Sequence, residues 1–562
     1  MSVQTKQYIS KAILLSITMG VMLCVFEPLQ LYFMNLEDYW FDFYNLFPVC
    51  MMMGAVLAAA SVIALIIAYL IRPKLGQAAY LLYAVVFLCT YVQGNYLAGN
   101  LPVLDGSAVD WGNYAYQRKY TILLWLIVAG VTAVLLYKKK AEFTMRLYHG
   151  LTALILAVLV VTCVITGISR NGLIDKGDLT VTTDHFWSMS QEGQNYVIFL
   201  VDSIRGREMN QLLEEDPQVW EALKDFTYYD NTVVGYPLTY YSIYYIMGGD
   251  WYECDEPIND YKTNVLLHAP LFQEMEARDY TLDLYTLEMP FLDNDGFYRF
   301  GNFVRAQGRF SSYWKFMKLQ LRLVGLKYAP YDLKSRCLAL PDEFDELKEI
   351  RDVDSRIYSP ENEFFLSLLQ EDVQYVQGNT FKFIHINGAH APFLYSRDLQ
   401  LLTEETDYEE AVEAAIAMTG QYLQKLKDNG VYDNTAIVIL SDHGYNSEPY
   451  EGLTYNPYDR QHGVLFMKGF GERHDALRVD NAPIAHGDLQ DAYIKLADGS
   501  SGDAVFPFRA GDERARRFLW HTRYDSLHLE EYMQTGQAYD METLLPTGRI
   551  YEWPEGLVQD AK

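Results

Sequence analysis

The sequence has few cysteines, and their positions exclude two classes of fold. Of the six cysteines, four fall within strongly apolar segments: Cys24, Cys50, Cys89 and Cys163. Only Cys254 and Cys337 remain for the rest of the chain, where one disulfide between them is possible. Neither a disulfide framework nor a zinc-ligand spacing is present, so a small disulfide-stapled fold and a cysteine-based zinc domain are excluded.

Positive charge is scarce beyond the first 170 residues. The formal net charge is −28; residues 1–170 carry 11 Lys and Arg against 7 Asp and Glu, so the remainder carries −32. A strongly acidic domain repels a polyphosphate backbone, which excludes nucleic acid as a partner. The change in charge near residue 170 also indicates that two different kinds of domain meet there.

Long apolar segments, by contrast, are abundant in the first 170 residues. Each is close to the ~20 residues that a helix needs to cross a bilayer. There are five of them, at about 11–33, 47–71, 78–97, 120–137 and 147–168. A signal peptide would give one shorter apolar core, so we predict a transmembrane domain of five helices over residues 1–170.

The charged residues between these segments predict an orientation. Basic residues precede the first segment, and others lie between the second and third and between the fourth and fifth, including Lys138, Lys139 and Lys140. By the positive-inside rule the N-terminus is cytoplasmic, and five crossings put everything after residue 170 outside the cytoplasm. The sequence therefore predicts a multi-pass protein of the cell membrane with its larger domain extracytoplasmic.

After a polar linker predicted at 171–194, the pattern changes to short, almost wholly apolar runs. They lie at 196–202, 280–286, 381–387, 435–442 and 463–469, and the clearest helical pattern lies at about 409–430. Such runs are typical of strands buried on both faces of a mostly parallel sheet. We predict an α/β domain over 195–505 and a C-terminal subdomain over 506–562 with a small sheet.

Polar side chains follow several of these runs. Asp202 ends the first run and Asp442 the fourth, with His443 directly after it, while His390 lies beyond the third and His462 precedes the fifth. In open α/β sheets, ligands bind beyond the carboxyl ends of the strands. Two carboxylates with several histidines form an oxygen and nitrogen ligand set for a divalent metal.

Taken singly, these residues also have structural explanations. An aspartate at the end of a strand, such as Asp202, is often a helix cap or a turn former. His390 lies in a Gly/Pro loop where exposed histidines are common, and His385 sits inside its strand, where it would line the core or bind backbone. The pair Asp442–His443, followed by Gly444, is the most specific of the set, because glycine permits a close approach of the backbone.

Thr239 follows a Gly-Tyr-Pro-Leu turn and precedes a tyrosine-rich segment that we predict to be a helix. Threonine at such a position is ordinarily structural, through β-branching and local hydrogen bonds. The turn can nevertheless expose the hydroxyl, and the first N–H groups of the helix could receive an anionic phosphoryl oxygen. Metal coordination is one of the few ways to activate such a hydroxyl as a nucleophile.

Four stretches of sequence together resemble a known family. "NYVIFLVDSIRG", "YYDNTVVGYPLTYYSIYYIMGG", "INGAHAPF" and "NTAIVILSDHG", in this order, are similar to the motifs of the alkaline phosphatase and sulfatase superfamily. With the predicted membrane anchor, the resemblance narrows to the branch that contains lipoteichoic acid synthases, phosphoglycerol transferases and phosphoethanolamine transferases. Two positions depart from the pattern of that branch. The transferases usually have glutamate where this sequence has Asp202, and again where it has Tyr445.

The resemblance implies roles for the candidate residues. Thr239 would be the nucleophile and, with Asp202, Asp442 and His443, would hold one divalent metal. His390 and His462 would contact the substrate phosphate. For two carboxylates, an imidazole and a hydroxyl we favour Mn²⁺, with Mg²⁺ and Zn²⁺ as alternatives.

The resemblance also implies an activity. The expected protein takes a phospho-alcohol head group from a membrane lipid donor, holds it on Thr239 and passes it to a glycan or lipid of the cell envelope. A phosphodiesterase or sulfatase-like hydrolase with the same site is the first alternative, although the formylglycine route is disfavoured because no C/S-x-P-x-R sequence lies near residue 239. A catalytically silent envelope scaffold is the second.

Overall fold

The computed structural model describes residues 3–36, 39–99, 111–173, 179–286, 294–339, 342–351, 356–445, 460–521 and 528–552. They form two compact units. The helical unit contains the described residues before 179 together with those from 307 to 351, and the sheet unit contains the others. A segment from the middle of the chain thus folds with the N-terminal region.

Sixteen α-helices lie in the described part of the chain. They are α1 (Val3–Val21), α2 (Glu27–Met34), α3 (Phe43–Ile71), α4 (Pro73–Val92), α5 (Tyr116–Ser169), α6 (Gly206–Glu215), α7 (Pro217–Leu223), α8 (Thr239–Gly248), α9 (Ile258–His268), α10 (Pro270–Ala277), α11 (Tyr313–Tyr328), α12 (Tyr331–Lys334), α13 (Asp342–Asp345), α14 (Asn362–Leu368), α15 (Tyr408–Asp428) and α16 (Leu489–Ala497).

The same part of the chain has eighteen strands. They are β1 (Leu179–Thr182), β2 (Ser188–Ser190), β3 (Asn195–Val201), β4 (Thr227–Tyr229), β5 (Thr232–Val233), β6 (Tyr280–Tyr285), β7 (Phe303–Phe310), β8 (Lys348–Arg351), β9 (Gln374–Val376), β10 (Asn379–Ile386), β11 (Thr435–Leu440), β12 (His462–Gly463), β13 (Leu465–Lys468), β14 (Arg478–Asp480), β15 (Ile484–Ala485), β16 (Arg516–His521), β17 (His528–Gln534) and β18 (Leu544–Glu552).

The helical unit has four continuous helical stretches that are long and apolar enough to cross a membrane. Among the described residues these are Val3–Met34, Phe43–Ile71, Pro73–Leu97 and Trp111–Ser169. A π-helical turn at Met22–Phe26 joins α1 to α2 within the first stretch. Apolar helices suited to the multi-pass anchor expected from the sequence are therefore present, as four continuous stretches where five segments were predicted.

The difference in number arises in α5, which contains both predicted segments 120–137 and 147–168. Its 54 residues would extend for about 80 Å if straight, more than twice the ~30 Å of a hydrocarbon core. Lys140 has a non-helical φ of 68°, and the hydroxyls of Thr132 and Tyr148, on either side of it, lie 2.6 Å apart. A straight helix would separate these two residues by about 24 Å, so the two halves of α5 lie side by side.

A seven-stranded sheet organises the sheet unit, in the order β14-β4-β13-β11-β3-β10-β6. Four neighbouring pairs are parallel, and the pairs β11/β13 and β13/β4 are antiparallel. The sheet is therefore mixed, because β13 runs against both of its neighbours, while the other strands pair in parallel as the sequence predicted for most of the sheet. An apolar run indicates that a strand is buried on both faces, but it does not fix the direction of the strand.

Two apolar cores cover the two faces of this sheet. In β3, Tyr196, Ile198 and Leu200 belong to one core and Val197, Phe199 and Val201 to the other. Helices α8, α9, α10 and α16 contribute to the first core, and α6, α7, α14 and α15 to the second. Burial on both faces holds β3 rigidly, so the residue that follows it is held in a fixed position.

The clearest predicted helix and the predicted C-terminal sheet are both present. The helix is α15, where the Asp407 carboxylate caps the first turn by accepting a hydrogen bond from the Glu410 amide at 2.9 Å. Strands β16, β17 and β18 form an antiparallel three-stranded sheet. The segment predicted as a linker contains β1 and β2, and Cys254 and Cys337 are free thiols.

Candidate active site

Asp202, Asp442 and His443 converge at one edge of the central sheet. All three are buried, and one potential ligand atom from each lies within 4.8 Å of the others. Strands β3 and β11 are parallel neighbours with Leu200 opposite Leu440. Asp202 and Asp442 each lie two residues beyond that pair, so the register brings both carboxylates to the same edge.

The two oxygens of Asp442 have different surroundings. Oδ1 accepts hydrogen bonds from the backbone amides of Ser203 at 3.1 Å and of His443 at 2.9 Å. Ser203 has a φ of 62°, a left-handed conformation that costs about 1 kcal/mol or more in a residue other than glycine. Oδ2 lies 3.2 Å from His443 Nε2 but is buried without a hydrogen-bond partner among the described residues.

His443 presents its other nitrogen away from the cluster. Nδ1 lies 2.9 Å from the Gly444 carbonyl oxygen, so we assign the Nδ1 proton to that hydrogen bond. Nε2 then carries a lone pair and faces the carboxylates, which is the usual arrangement of a metal-binding histidine. Burial lowers the pKa of His443, against the opposing charge of Asp442, and keeps the ring neutral.

The hydroxyl of Thr239 completes the cluster. Thr239 Oγ1 lies 3.3 Å from Asp202 Oδ2 and 3.3 Å from His443 Nε2. Thr239 is half-buried, whereas the other three residues are buried, so Thr239 is the least buried residue of the cluster. It is also the first residue of α8, where the helix dipole favours negative charge.

The two carboxyl groups have opposite pKa shifts. Burial and the neighbouring charge of Asp202 raise the pKa of Asp442. Burial also acts to raise the pKa of Asp202, but the neighbouring imidazoles of His385, His443 and His390 outweigh it and leave that pKa lowered. Two such groups in a low-dielectric site favour either a shared proton or a cation between them.

These residues fit a divalent metal ion. Among the residues that the structure describes, no donor reaches the buried Asp442 Oδ2, and His443 Nε2 offers a lone pair beside it. Asp202 supplies a second carboxylate and Thr239 a hydroxyl, so the donors are three oxygens and one nitrogen. The metal site expected from the sequence is thus compatible with the arrangement, and the donor set does not select among Mn²⁺, Mg²⁺ and Zn²⁺.

His385 contacts this cluster, which the sequence did not predict. It is buried within β10, as expected, but its Nε2 lies 3.6 Å from Asp202 Oδ2 and its Nδ1 3.4 Å from Thr286 Oγ1. The contact follows from the register of the strands, because His385 pairs with Leu200 across the parallel strands β10 and β3. That pairing puts His385 close to the carboxyl end of β3, where Asp202 lies.

The two other predicted histidines lie in different surroundings. His390 is exposed, its Nδ1 lies 2.6 Å from the Ala391 carbonyl oxygen, and its charge contributes to lowering the pKa of Asp202. His462 is buried, and its Nε2 lies 2.9 Å from the Asp230 carbonyl oxygen. Burial lowers the pKa of His462 to about 4, against that backbone hydrogen bond.

Two further residues near the cluster were missed. Arg460 donates from Nη1 to the Pro237 carbonyl oxygen at 2.6 Å, two residues before Thr239, and its charge lowers the pKa of His443. His486 is buried with neither ring nitrogen hydrogen-bonded among the described residues. Burial and the charge of His443 lower the pKa of His486 to about 3. The sequence signal for His486 was a further His-Gly pair.

Comparison with known proteins gives one match by sequence. A family model described as Sulfatase matches residues 194–500, more than half of the chain. No curated protein matches the chain.

Several solved structures are similar to parts of this chain. Ps i-CgsB is 15% identical with a TM-score of 0.39, over 61% of this chain and 83% of that chain. The lipoteichoic acid synthase LtaP from Listeria monocytogenes is 15% identical with a TM-score of 0.34, over 64% and 89%. The integral membrane protein lipooligosaccharide phosphoethanolamine transferase A (EptA) from Neisseria meningitidis is 12% identical with a TM-score of 0.31, over 87% and 95%. Likenesses at this level assign no activity to this chain.

Proposed function

Since the chain belongs to the sulfatase family, we propose that it is a membrane-anchored, metal-dependent transferase of the phosphotransferase type. It moves a phospho-alcohol head group, phosphoglycerol or phosphoethanolamine in type, from a lipid donor to a glycan or lipid of the cell envelope. Thr239 carries the head group between the two as a phosphothreonine ester.

One observation carries the proposal, which is the position of the Thr239 hydroxyl. It lies 3.3 Å from both Asp202 Oδ2 and His443 Nε2, and Thr239 as a residue is half-buried. Formylglycine sulfatases need Cys or Ser in a C/S-x-P-x-R sequence, and this chain has Thr-Tyr-Tyr-Ser at the same place. A threonine oxygen cannot be converted to formylglycine but can form a phosphate ester, and this favours phosphoryl transfer over that route of sulfate hydrolysis.

Transfer proceeds in two displacements at phosphorus. The Thr239 hydroxyl loses its proton and its oxygen forms a bond to the phosphorus of the donor, while the bond from phosphorus to the diacylglycerol oxygen breaks and that oxygen takes up a proton. An acceptor hydroxyl then attacks the same phosphorus and loses its proton, the bond from phosphorus to the Thr239 oxygen breaks, and that oxygen takes up a proton, which restores the hydroxyl. Dividing one transfer into two displacements is the usual benefit of covalent catalysis.

Asp202, Thr239, Asp442 and His443 would hold the metal ion, and we rank Mn²⁺ ahead of Mg²⁺ and Zn²⁺. When bound, the cation lowers the pKa of the hydroxyl and neutralises charge on the phosphoryl oxygens. His390, exposed near the cluster, is proposed to donate a hydrogen bond to the substrate phosphate. His462 can take the same role once its ring releases the Asp230 carbonyl.

The membrane anchor is the reason for proposing a lipid as the donor. We also propose that the chain crosses the membrane five times. The two halves of α5 lie side by side around Lys140, which gives five spans from four continuous helices. Residues 138–140 then lie in a cytoplasmic turn, and the sheet unit is extracytoplasmic. A reporter fused after residue 190 that is active only in the cytoplasm would contradict this topology.

A turnover assay separates the proposal from its rivals. The full chain in nanodiscs is incubated with a donor lipid labelled in its head group, an envelope acceptor and Mn²⁺. A transferase releases diacylglycerol and moves the label to the acceptor, whereas a hydrolase releases the label in water-soluble form and a silent scaffold does neither. Thr239→Ala is the test variant, and Thr281→Ala, an exposed threonine on β6, is its matched control.

A further inference from the structure

Helix α11 belongs to the helical unit although it comes from the middle of the chain. The Ser312 hydroxyl caps it by accepting a hydrogen bond from the Lys315 amide at 3.3 Å. One side of the helix is buried through Phe316, Leu319, Leu323, Val324 and Leu326. The opposite side is exposed, so α11 is an amphipathic helix.

The buried side of α11 packs against ends of the apolar spans. The Gln93 side chain donates to the carbonyl oxygens of Tyr328 and Ala329 at 3.0 and 2.8 Å. The Lys327 ammonium lies 2.6 Å from Glu27 Oε2 and the Tyr328 hydroxyl 3.1 Å from it. Near the start of α11, the rings of Phe316 and Phe41 pack edge to face, with their centroids 5.4 Å apart.

These contacts lie at one end of the spans. Glu27 is near the end of the first span, Phe41 follows that span, and Gln93 is near the end of the third. Each of these positions comes after an odd number of crossings, so all belong to the same side of the bilayer. Helix α11 therefore packs against the ends of the spans at one membrane surface.

The exposed side of α11 is both aromatic and basic. Trp314 is 63% exposed and Leu321 50% exposed, and both lie on one stripe with Lys318, whose Nζ is 5.3 Å from the centre of the Trp314 ring. The helix contains Lys315, Lys318, Arg322 and Lys327 and no acidic residue, in a chain that is strongly acidic beyond residue 170. Within the described part of the chain, Lys315 and Lys318 have no ion pair.

We propose that this exposed face, formed by Trp314, Lys315, Lys318 and Leu321, lies in the headgroup layer of the membrane and binds anionic phospholipids. Tryptophan favours the interface between headgroups and acyl chains, and a basic amphipathic helix lies in the plane of that interface. Lysines near an anionic surface strengthen the binding. The inference rests on the membrane insertion in the proposed function and adds a lipid-binding surface outside its active site.

Photo-crosslinking tests the face directly. A benzophenone amino acid replaces Leu321, or Leu126, which is 66% exposed on α5, or Leu401, which is 62% exposed in the sheet unit. The full chain is irradiated in nanodiscs of phosphatidylcholine with phosphatidylglycerol, and lipid adducts are read by intact mass. We expect adducts at 321 and 126 above the background at 401. Adducts at 126 without adducts at 321, or a cross-link from 321 to a second copy of the chain, would overturn the proposal.

The charge requirement has its own test. With the probe at 321, Lys315→Gln and Lys318→Gln should each lower the ratio of phosphatidylglycerol to phosphatidylcholine adducts by about fivefold, the equivalent of ~1 kcal/mol per basic residue. Lys139→Gln, at the turn of α5, should leave the ratio unchanged. A ratio insensitive to both α11 variants would overturn the role of the lysines.

The same experiment in the Thr239→Ala background separates this inference from the proposed function. Lipid adducts at 321 do not require turnover, so they should persist when head-group transfer is lost. Their loss in Thr239→Ala alone would show that the cross-link reports donor lipid in the active site and not a surface on α11.

Discussion

Two buried His-Gly pairs, at His443 and His462, differ in which ring nitrogen binds the backbone and in what the other nitrogen faces. His443 uses Nδ1 for the Gly444 carbonyl, and its Nε2 faces Asp202, Asp442 and Thr239. His462 uses Nε2 for the Asp230 carbonyl. Both rings are neutral by burial, but only the first faces carboxylates whose charge requires compensation.

A His-Gly pair alone therefore does not identify a metal-binding histidine. The backbone hydrogen bond of one ring nitrogen decides which way the other nitrogen faces. His443 is held by its own neighbour in sequence, so the orientation of the nitrogen that faces the carboxylates is set locally. His462 is held by a residue 232 positions earlier, which no local pattern reveals. The predictions below, from the largest expected effect to the smallest, test whether the two regions differ as described.

The largest effect should come from Thr239, the proposed nucleophile, whose hydroxyl lies beside His443. Thr239→Ala should lower turnover by about 10³-fold or more, because the attacking oxygen is removed. Metal content and the unfolding transition should stay close to those of the parent. Thr239→Ser should retain part of the activity, since its oxygen survives, and near-parental turnover of Thr239→Ala would refute covalent catalysis at this residue.

The next effect is on metal affinity, and it separates the two histidines. His443→Ala and Asp442→Asn should each lose the metal at concentrations that saturate the parent, because a direct ligand is removed or neutralised. His462→Ala should bind the metal as the parent does. The measurement is metal content by mass spectrometry after dialysis. Full occupancy in both the His443 and the Asp442 variant would contradict their assignment as metal ligands.

A third test uses pH and concerns stability. The pKa of His462 is lowered to about 4 in the fold from an unfolded value of ~6.5, so the unfolded state binds more protons between these values. Its contribution to stability is therefore complete above pH 6.5 and is lost as the pH falls toward 4. Between pH 7 and 5 this loss amounts to about 2 kcal/mol.

The variant for that test is His462→Gln, studied without metal. Its free energy of unfolding should fall less steeply between pH 7 and 5 than that of the parent, even if it is lower at pH 7. Chemical denaturation of the full chain in detergent at the two pH values gives the comparison. Equal slopes would show that His462 is not protonated differently in the two states.

The last effect, similar in size to the pH effect, should come from crowding the His462 ring. A Cβ added at Gly206 would lie 2.2 Å from His462 Nε2, so Gly206→Ala should displace the ring from Asp230 and cost about 1–3 kcal/mol by overpacking. Metal affinity should not change, because His462 is not one of the four proposed metal ligands. Gly420→Ala, where the nearest atom lies at 3.7 Å, is the control, and an equal cost in both variants would contradict the packing described.

The sequence predicted the parts of the fold and the site that depend on local pattern. The apolar runs became β3, β6, β10, β11 and β13 of the central sheet, because continuous burial on two faces leaves few other possibilities. Asp202 and Asp442 come together because each directly follows such a strand or lies one residue beyond it. These predictions needed only the polarity of the residues and the ends of the runs.

Other features depend on long-range pairing and could not be predicted. The antiparallel direction of β13, the contact of His385 with Asp202 and the hydrogen bond of His462 to Asp230 are set by residues distant in sequence. The same holds for α11, which folds with the helical unit although it lies between two strands of the sheet unit in the chain. Periodicity identifies an amphipathic helix but does not identify what its apolar side covers.

The central claim is that the Thr239 oxygen carries the head group, and peptide mapping after a rapid quench tests it most directly. The parent chain is mixed with donor lipid and Mn²⁺ without acceptor, quenched in acid, digested and analysed by mass spectrometry. The account predicts one added phospho-alcohol group on Thr239, which disappears when acceptor is supplied. The same group on Ser203 or Ser242, or turnover with Thr239 unmodified throughout, would contradict it.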